Sequence, residues 1–323
     1  MTHDERTAAQ PAGRSPMVTG LALAVLSASS FGMAGALGKG LLETGWTPGA
    51  AVLARVTIAA ATLAVPAALS LRGRWHLLRR NLAMILVFGM LAVVGTQFFY
   101  FQAIARMQVG LALLIEYTAP VAVVAFLWLR YGHRPSRLTL AGGAIAALGL
   151  VFVLDLLGGV TVSVAGTLWA LAAMVGAATY FVLGAREAEG LPPIALAAVG
   201  LLVGAVTLAL LGAVGLLPLR FSADPVSLAG TTAPWWLAAL GLGVVTAAVS
   251  YASGVAASRR LGSRLASFVA LLEVVAAVLF AWLLLGELPR PVQLVGGLLI
   301  LAGVVVVKLG ETGAPAEPAR RAR

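Results

Sequence analysis

The chain has 323 residues, of which 61% are hydrophobic and 11% charged, with a formal net charge of +10. A soluble domain carries about 45–50% apolar and about 25% charged residues, so this composition excludes an ordinary water-soluble fold. There is no cysteine, which excludes disulfides, iron–sulfur clusters and thiolate zinc sites.

Residues 1–17 are polar, with Pro11, Gly13 and Pro16, and are expected to form a disordered tail. Ten apolar stretches follow, each near the twenty residues that a bilayer core requires. They are Val18–Gly38, Pro48–Ser70, Leu82–Ala105, Val109–Tyr131 and Leu138–Leu156, then Gly166–Ala185, Pro193–Leu217, Pro234–Ala257, Leu265–Leu285 and Val292–Leu309. The first is long for the apolar core of a secretory signal, and Asp4 and Glu5 precede it, so it is read as a retained span. The longest connection, Pro218–Ala233, contains Pro225 and Gly230 and is expected to be a turn-rich loop. Residues 310–323 are rich in Pro, Ala and Arg and are expected to be a second disordered tail. The alternating pattern of a membrane barrel is missing.

One stretch occurs twice. Residues 103–153 match residues 257–307 at 18 of 51 positions when shifted by 154. The shared landmarks include Arg106/Arg260, Phe126/Phe280, Trp128/Trp282, Gly132/Gly286, Pro135/Pro289, Gly142-Gly143/Gly296-Gly297 and Gly149/Gly303. The identities fall on Trp, Pro and Gly as well as on the abundant aliphatics, so they mark an internal duplication. Residues 18–156 and 166–309 therefore form two repeats of five spans each.

The cations segregate accordingly. With the N-terminus in the cytoplasm, 17 Lys and Arg fall on that side and four (Lys39, Arg106, Arg220 and Arg290) on the other, with Arg55 inside a span. By the positive-inside rule both termini are cytoplasmic. The bulk charge thus orients helices and gives no reason to expect nucleic acid, since no basic surface is interleaved with stacking aromatics. Five is odd, so the second repeat enters the membrane from the opposite side. The expected fold is an all-α polytopic membrane protein of ten transmembrane helices, in two inverted-topology repeats. Inverted repeats are the architecture of alternating access, with the binding site near the midplane between the halves.

Ionisable groups at membrane depth are costly, about +2.5–3.5 kcal/mol for a mid-bilayer Asp, and are functional candidates for that reason. Glu273 lies near the middle of its span, and Glu116 and Arg55 lie closer to the ends of theirs. Asp155 is nearer a span end and reads as interfacial or packing. Arg55 is expected to pair with Glu116 or Glu273 across a cavity, or to snorkel to the interface. Gln97, Tyr100, Tyr117, Tyr180 and Tyr251 form a second tier of substrate-binding or coupling candidates; Ser250 and Trp169 also lie within spans. Trp128, Trp282 and the Trp235-Trp236 pair read as interfacial anchors. Pro66 and Pro120 can bend their helices. The glycine pairs favour close helix contact.

These residues resemble those of the EamA-type transporters of the drug/metabolite transporter superfamily. The likeness rests on Leu271-Leu272-Glu273 through Leu285-Gly286-Glu287-Leu288-Pro289, then Gly296-Gly297 and Gly303. Its first-half counterpart is Ile115-Glu116-Tyr117-Thr118-Ala119-Pro120, then Gly132 and Gly142-Gly143. The resemblance implies ten spans in two inverted halves and export of small metabolites, often amino acids or related compounds. Val274 stands where second halves of this family often have Pro, and His133 stands where the second repeat has Glu287.

His3, His76 and His133 fall in the tail or loops, and no H-E-x-x-H, G-x-S-x-G or Walker loop is present. No enzyme activity, cofactor or metal is therefore expected. A plasma-membrane carrier with a small-molecule substrate, surrounded by lipid and driven by a proton or an exchanged solute, is the leading reading. A homodimer is compatible with the sequence. The alternatives are a flippase for lipid-linked precursors and, from another class, an intramembrane enzyme or structural subunit.

Overall fold

The computed structural model describes residues 16–104, 106, 109–154, 163–186, 190–286 and 288–312. Asp155, Glu287 and most of the two expected tails lie outside the described residues.

The first repeat runs α1 (Pro16–Gly32), α2 (Ala34–Glu43), α3 (Pro48–Ser70), α4 (His76–Arg80) and α5 (Leu82–Val87). A π-helical stretch, π1 (Phe88–Gly95), leads into α6 (Thr96–Ile104), α7 (Val109–Glu116), α8 (Ala119–Tyr131) and α9 (Arg137–Val153). The second repeat has α10 (Val164–Gly184) and α11 (Pro193–Ala213), then a hairpin of β1 (Val226–Leu228) and β2 (Thr231–Ala233). It continues with α12 (Trp235–Leu240), a second π-helical stretch, π2 (Gly241–Val249), α13 (Ser250–Ala270), α14 (Leu272–Leu285) and α15 (Pro291–Thr312). Among the described residues, eight helices are long and apolar enough to cross a membrane, and Arg137–Val153 and Leu272–Leu285 are shorter apolar helices.

Local chemistry sets the ends. Thr47, Ser136 and Ser163 cap α3, α9 and α10, each accepting a hydrogen bond from the backbone N–H three residues on. Gly132 and Gly286, matched landmarks of the duplication, end α8 and α14 at φ 76° and 71°, a left-handed stop that only glycine adopts without strain. The outer surface carries large aliphatics, such as Leu129 and Leu298, while Ala, Gly and Ser recur inside. That is the packing of helices whose outer solvent is apolar.

The duplication is visible in the contacts. A Cβ on Gly142 would lie 2.6 Å from the Gly303 carbonyl oxygen, and a Cβ on Gly303 would lie 2.6 Å from the Gly142 carbonyl oxygen. Gly149 and Gly296 meet in the same reciprocal way, each 2.6 Å from the other's carbonyl. The start of α9 therefore faces the end of α15, and the two helices run antiparallel. A second reciprocal pair joins the repeats: Gly89 of π1 abuts Val203 and the Gly200 carbonyl on α11, while Gly243 of π2 abuts Ile58 and the Arg55 carbonyl on α3.

Three features differ from the expectation. The eighth and ninth spans are not separated by a loop, because Trp235–Ala270 is continuous apart from Gly262, whose φ of 76° and ψ of 161° break the helical path. The fourth and ninth spans are each discontinuous, at Tyr117-Thr118 and at Leu271, which are equivalent positions under the 154-residue shift. The turn-rich loop is a hairpin, with Ala229 and Gly230 both at positive φ as a type I′ turn requires. Val226 is fully buried in a cluster with Leu41 and Trp46, and the Ala229 N–H donates to the Leu284 carbonyl at 2.6 Å. The hairpin thus bridges α2 and the end of α14.

Candidate functional site

The two helix breaks face one cavity of about 140 Å³. One water needs at least about 10–15 Å³, so the space has room for several waters or a small solute. Broken helices at membrane depth are tolerated where they line a cavity, because there the freed backbone groups can find partners.

Each repeat contributes one carboxylate beside its break. Glu116 is the last residue of α7, and Glu273 lies in the first turn of α14. Both line the cavity. The helix dipole favours an anion at the start of α14 and disfavours one at the end of α7, so Glu273 holds the better electrostatic position. The Tyr117 hydroxyl, from the break in the other repeat, is a hydrogen-bonding neighbour of the Glu273 carboxyl. Pro120, at the start of α8, also lines the cavity.

Arg55 enters from α3 and is buried. Its Nη2 donates to the Thr246 carbonyl at 2.6 Å, its guanidinium lies 5.4 Å from the Phe31 ring centroid, and its Nε has no partner. Thr246 belongs to π2, and its carbonyl also accepts from Ser250 Oγ at 2.7 Å. The sequence led us to expect an Arg55–carboxylate pair. In this conformation the guanidinium donates to a backbone carbonyl of the widened helical turn, and Glu273 is its electrostatic neighbour in the same cavity. Tyr251 and Tyr180 continue the wall: Tyr251 meets Phe31 edge-on at 5.2 Å and Tyr180 at 5.5 Å.

Of the candidates named from sequence, the fold brings Arg55, Gln97, Glu116, Tyr117, Tyr180, Tyr251 and Glu273 to the cavity. Tyr100 is not among its lining residues and packs with Ile115 and Trp169. Trp169 stacks on Phe99 at 5.6 Å. The sequence reading missed Ser27, Phe31, Thr96, Gly254 and Ser258, which all line the cavity. Ser27 and Phe31 are four apart, as are Ser250, Gly254 and Ser258, so helical spacing was the available signal.

Comparison with known proteins agrees with this architecture. The model of the EamA-like transporter family matches residues 18–155 and again residues 164–309. A probable terminal-alkyne amino-acid exporter from Streptantibioticus cattleyicolor is 29% identical over 286 residues, 83% of this chain and 88% of that protein. An uncharacterized transporter from Archaeoglobus fulgidus is 30% identical over 229 residues, 70% of this chain and 76% of that protein. One crystal structure, at 24% identity, superposes with a TM-score of 0.72 over 91% of this chain and 98% of that one, which shows a shared fold.

Proposed function

The chain belongs to the EamA-like transporter family, and from that premise we propose that it is a secondary carrier exporting small metabolites by alternating access. Amino acids or related compounds are the first substrates to test. The observation that carries this reading is the cavity at the two helix breaks, which combines one carboxylate from each repeat with Arg55. An amino acid offers an ammonium to the carboxylates and a carboxylate to the guanidinium. The name of the Streptantibioticus relative points to the same class.

The carrier has ten spans in two inverted halves, with both termini cytoplasmic. The antiparallel glycine contacts between α9 and α15 support the inversion, because a two-fold axis in the membrane plane would relate such a pair. The cation tally supports the orientation. With no nucleotide-binding loop, the driving force is a proton or solute gradient, or exchange.

The test is counterflow in proteoliposomes, with a panel of labelled amino acids that includes terminal-alkyne analogues. Exchange should be saturable and should fall at least about tenfold on Glu273→Gln, which removes the charge and keeps the shape. Undiminished exchange by that variant would sink the assignment of the site.

A further inference from the structure

The charged groups account for part of the cavity wall, and a second part is neutral and polar. It is built where α1, α10 and α13 meet. Ser250, Gly254 and Ser258 lie on one face of α13, a helical turn apart. Ser27 of α1 donates its Oγ–H to the Ser250 carbonyl at 2.8 Å, so its oxygen remains free to accept. A Cβ on Gly254 would overlap the Tyr180 hydroxyl and would lie 2.6 Å from Ser27 Oγ. Gly254 is therefore the bare patch over which these two hydroxyls meet.

Two of the oxygens lack a well-formed hydrogen bond. Tyr180, 8% exposed, has its Oη beside Ser27 Oγ but makes no well-aligned hydrogen bond, and Ser258, fully buried, has an Oγ with no partner. A buried hydroxyl without a partner is costly and calls for a physical reason. All four residues, Ser27, Tyr180, Gly254 and Ser258, line the one cavity. Recognition of an amino acid's two charges involves Tyr180 only as an aromatic wall and leaves these serines without a role.

We propose that this face is a second subsite, which takes a hydroxyl or amide carried by the transported molecule away from its charged end. The inference rests on the carrier reading. A substrate hydroxyl is the complementary group, since it can accept from Tyr180 Oη–H and from Ser258 Oγ–H and can donate to Ser27 Oγ. A methyl group in its place would leave those oxygens unpartnered. A site built around hydrogen bonds rejects an analogue that lacks the group, whereas an apolar pocket barely distinguishes the two.

The experiment is counterflow in proteoliposomes with amino-acid pairs that differ by one hydroxyl: serine and alanine, threonine and valine, tyrosine and phenylalanine. At least one pair should favour the hydroxylated member by about tenfold or more in wild-type protein. Tyr180→Phe combined with Ser258→Ala should bring that ratio close to one. The ratio is read within one preparation, so differences in yield or folding cancel. Exchange without preference in any pair, or a ratio that survives the double substitution, overturns the subsite and leaves the carrier standing. Exchange of no member of any pair overturns the subsite and the amino-acid reading together.

Discussion

Substituting Gly303 with Ala tests the crossing of α9 and α15. The new Cβ would lie 2.6 Å from the Gly142 carbonyl oxygen and 2.7 Å from the Ala146 N and Cβ, against 3.4 Å for an ordinary contact. The obstruction includes backbone, so no rotamer change relieves it, and the helices must part locally by roughly 0.8 Å. A gap of that size forfeits about a quarter to a half of each dispersion contact nearby, and overpacking of this kind costs about 1–3 kcal/mol. Gly142→Ala obstructs the same crossing from the other side. Once one methyl has opened the gap, the second fits with little further cost, so the double variant should lose much less than the sum of the singles. Gly149→Ala acts at the other crossing, about 10 Å along the helix. Combined with Gly303→Ala it should be close to additive. Thermal unfolding in detergent compares the three single and two double variants with the wild type. Full additivity of Gly142→Ala with Gly303→Ala would refute the shared contact.

Three further outcomes are expected. Arg55→Lys keeps the charge but loses the planar guanidinium that lies over Phe31 while donating to the Thr246 carbonyl; counterflow should fall about tenfold or more. Gly40→Cys with Val226→Cys should form a disulfide, because a Cβ on Gly40 lies 2.6 Å from Val226 Cγ1 and the chain has no other cysteine. With a Cβ–Cγ bond of about 1.5 Å, the two Cβ atoms are at most about 4.1 Å apart, inside the disulfide range. Oxidation should stop exchange and reductant should restore it; full exchange in the oxidised state would show that the hairpin stays on α2 throughout the cycle. Ala229→Gly relieves a non-glycine residue at φ 51° and should stabilise the hairpin by about 1 kcal/mol, read as a raised Tm.

The apolar segments were legible because lipid imposes length and composition on each. Their interruptions were not. Pro120 marks the break before α8, but Leu271-Leu272 carries no helix-breaking residue, so the second break emerges only with coordinates even though the 154-residue shift pairs it with Tyr117-Thr118. The π-helical stretches were invisible, since one extra residue per turn leaves hydropathy unchanged. Glu116, Glu273 and Arg55 stood out through the cost of charge at membrane depth. The anchor of Arg55 did not, because a backbone carbonyl at Thr246 has no residue-type signature. Tyr100 does not line the cavity, because it packs at the small cluster of Ala103, Ala112 and Ala170 formed by three helices.

The two reciprocal contacts at π1 and π2 match glycine for glycine, but what stands beside them does not. On α3 the residue whose carbonyl meets Gly243 is Arg55, and on α11 the corresponding residue is Gly200, crowded by the ring of Phe88. One half is thus riveted by a charged clasp and its twin by a greasy one. Twin halves so fastened are not energetic equals: separating π2 from α3 would strip a buried guanidinium of its acceptor, whereas separating π1 from α11 would cost only apolar contact.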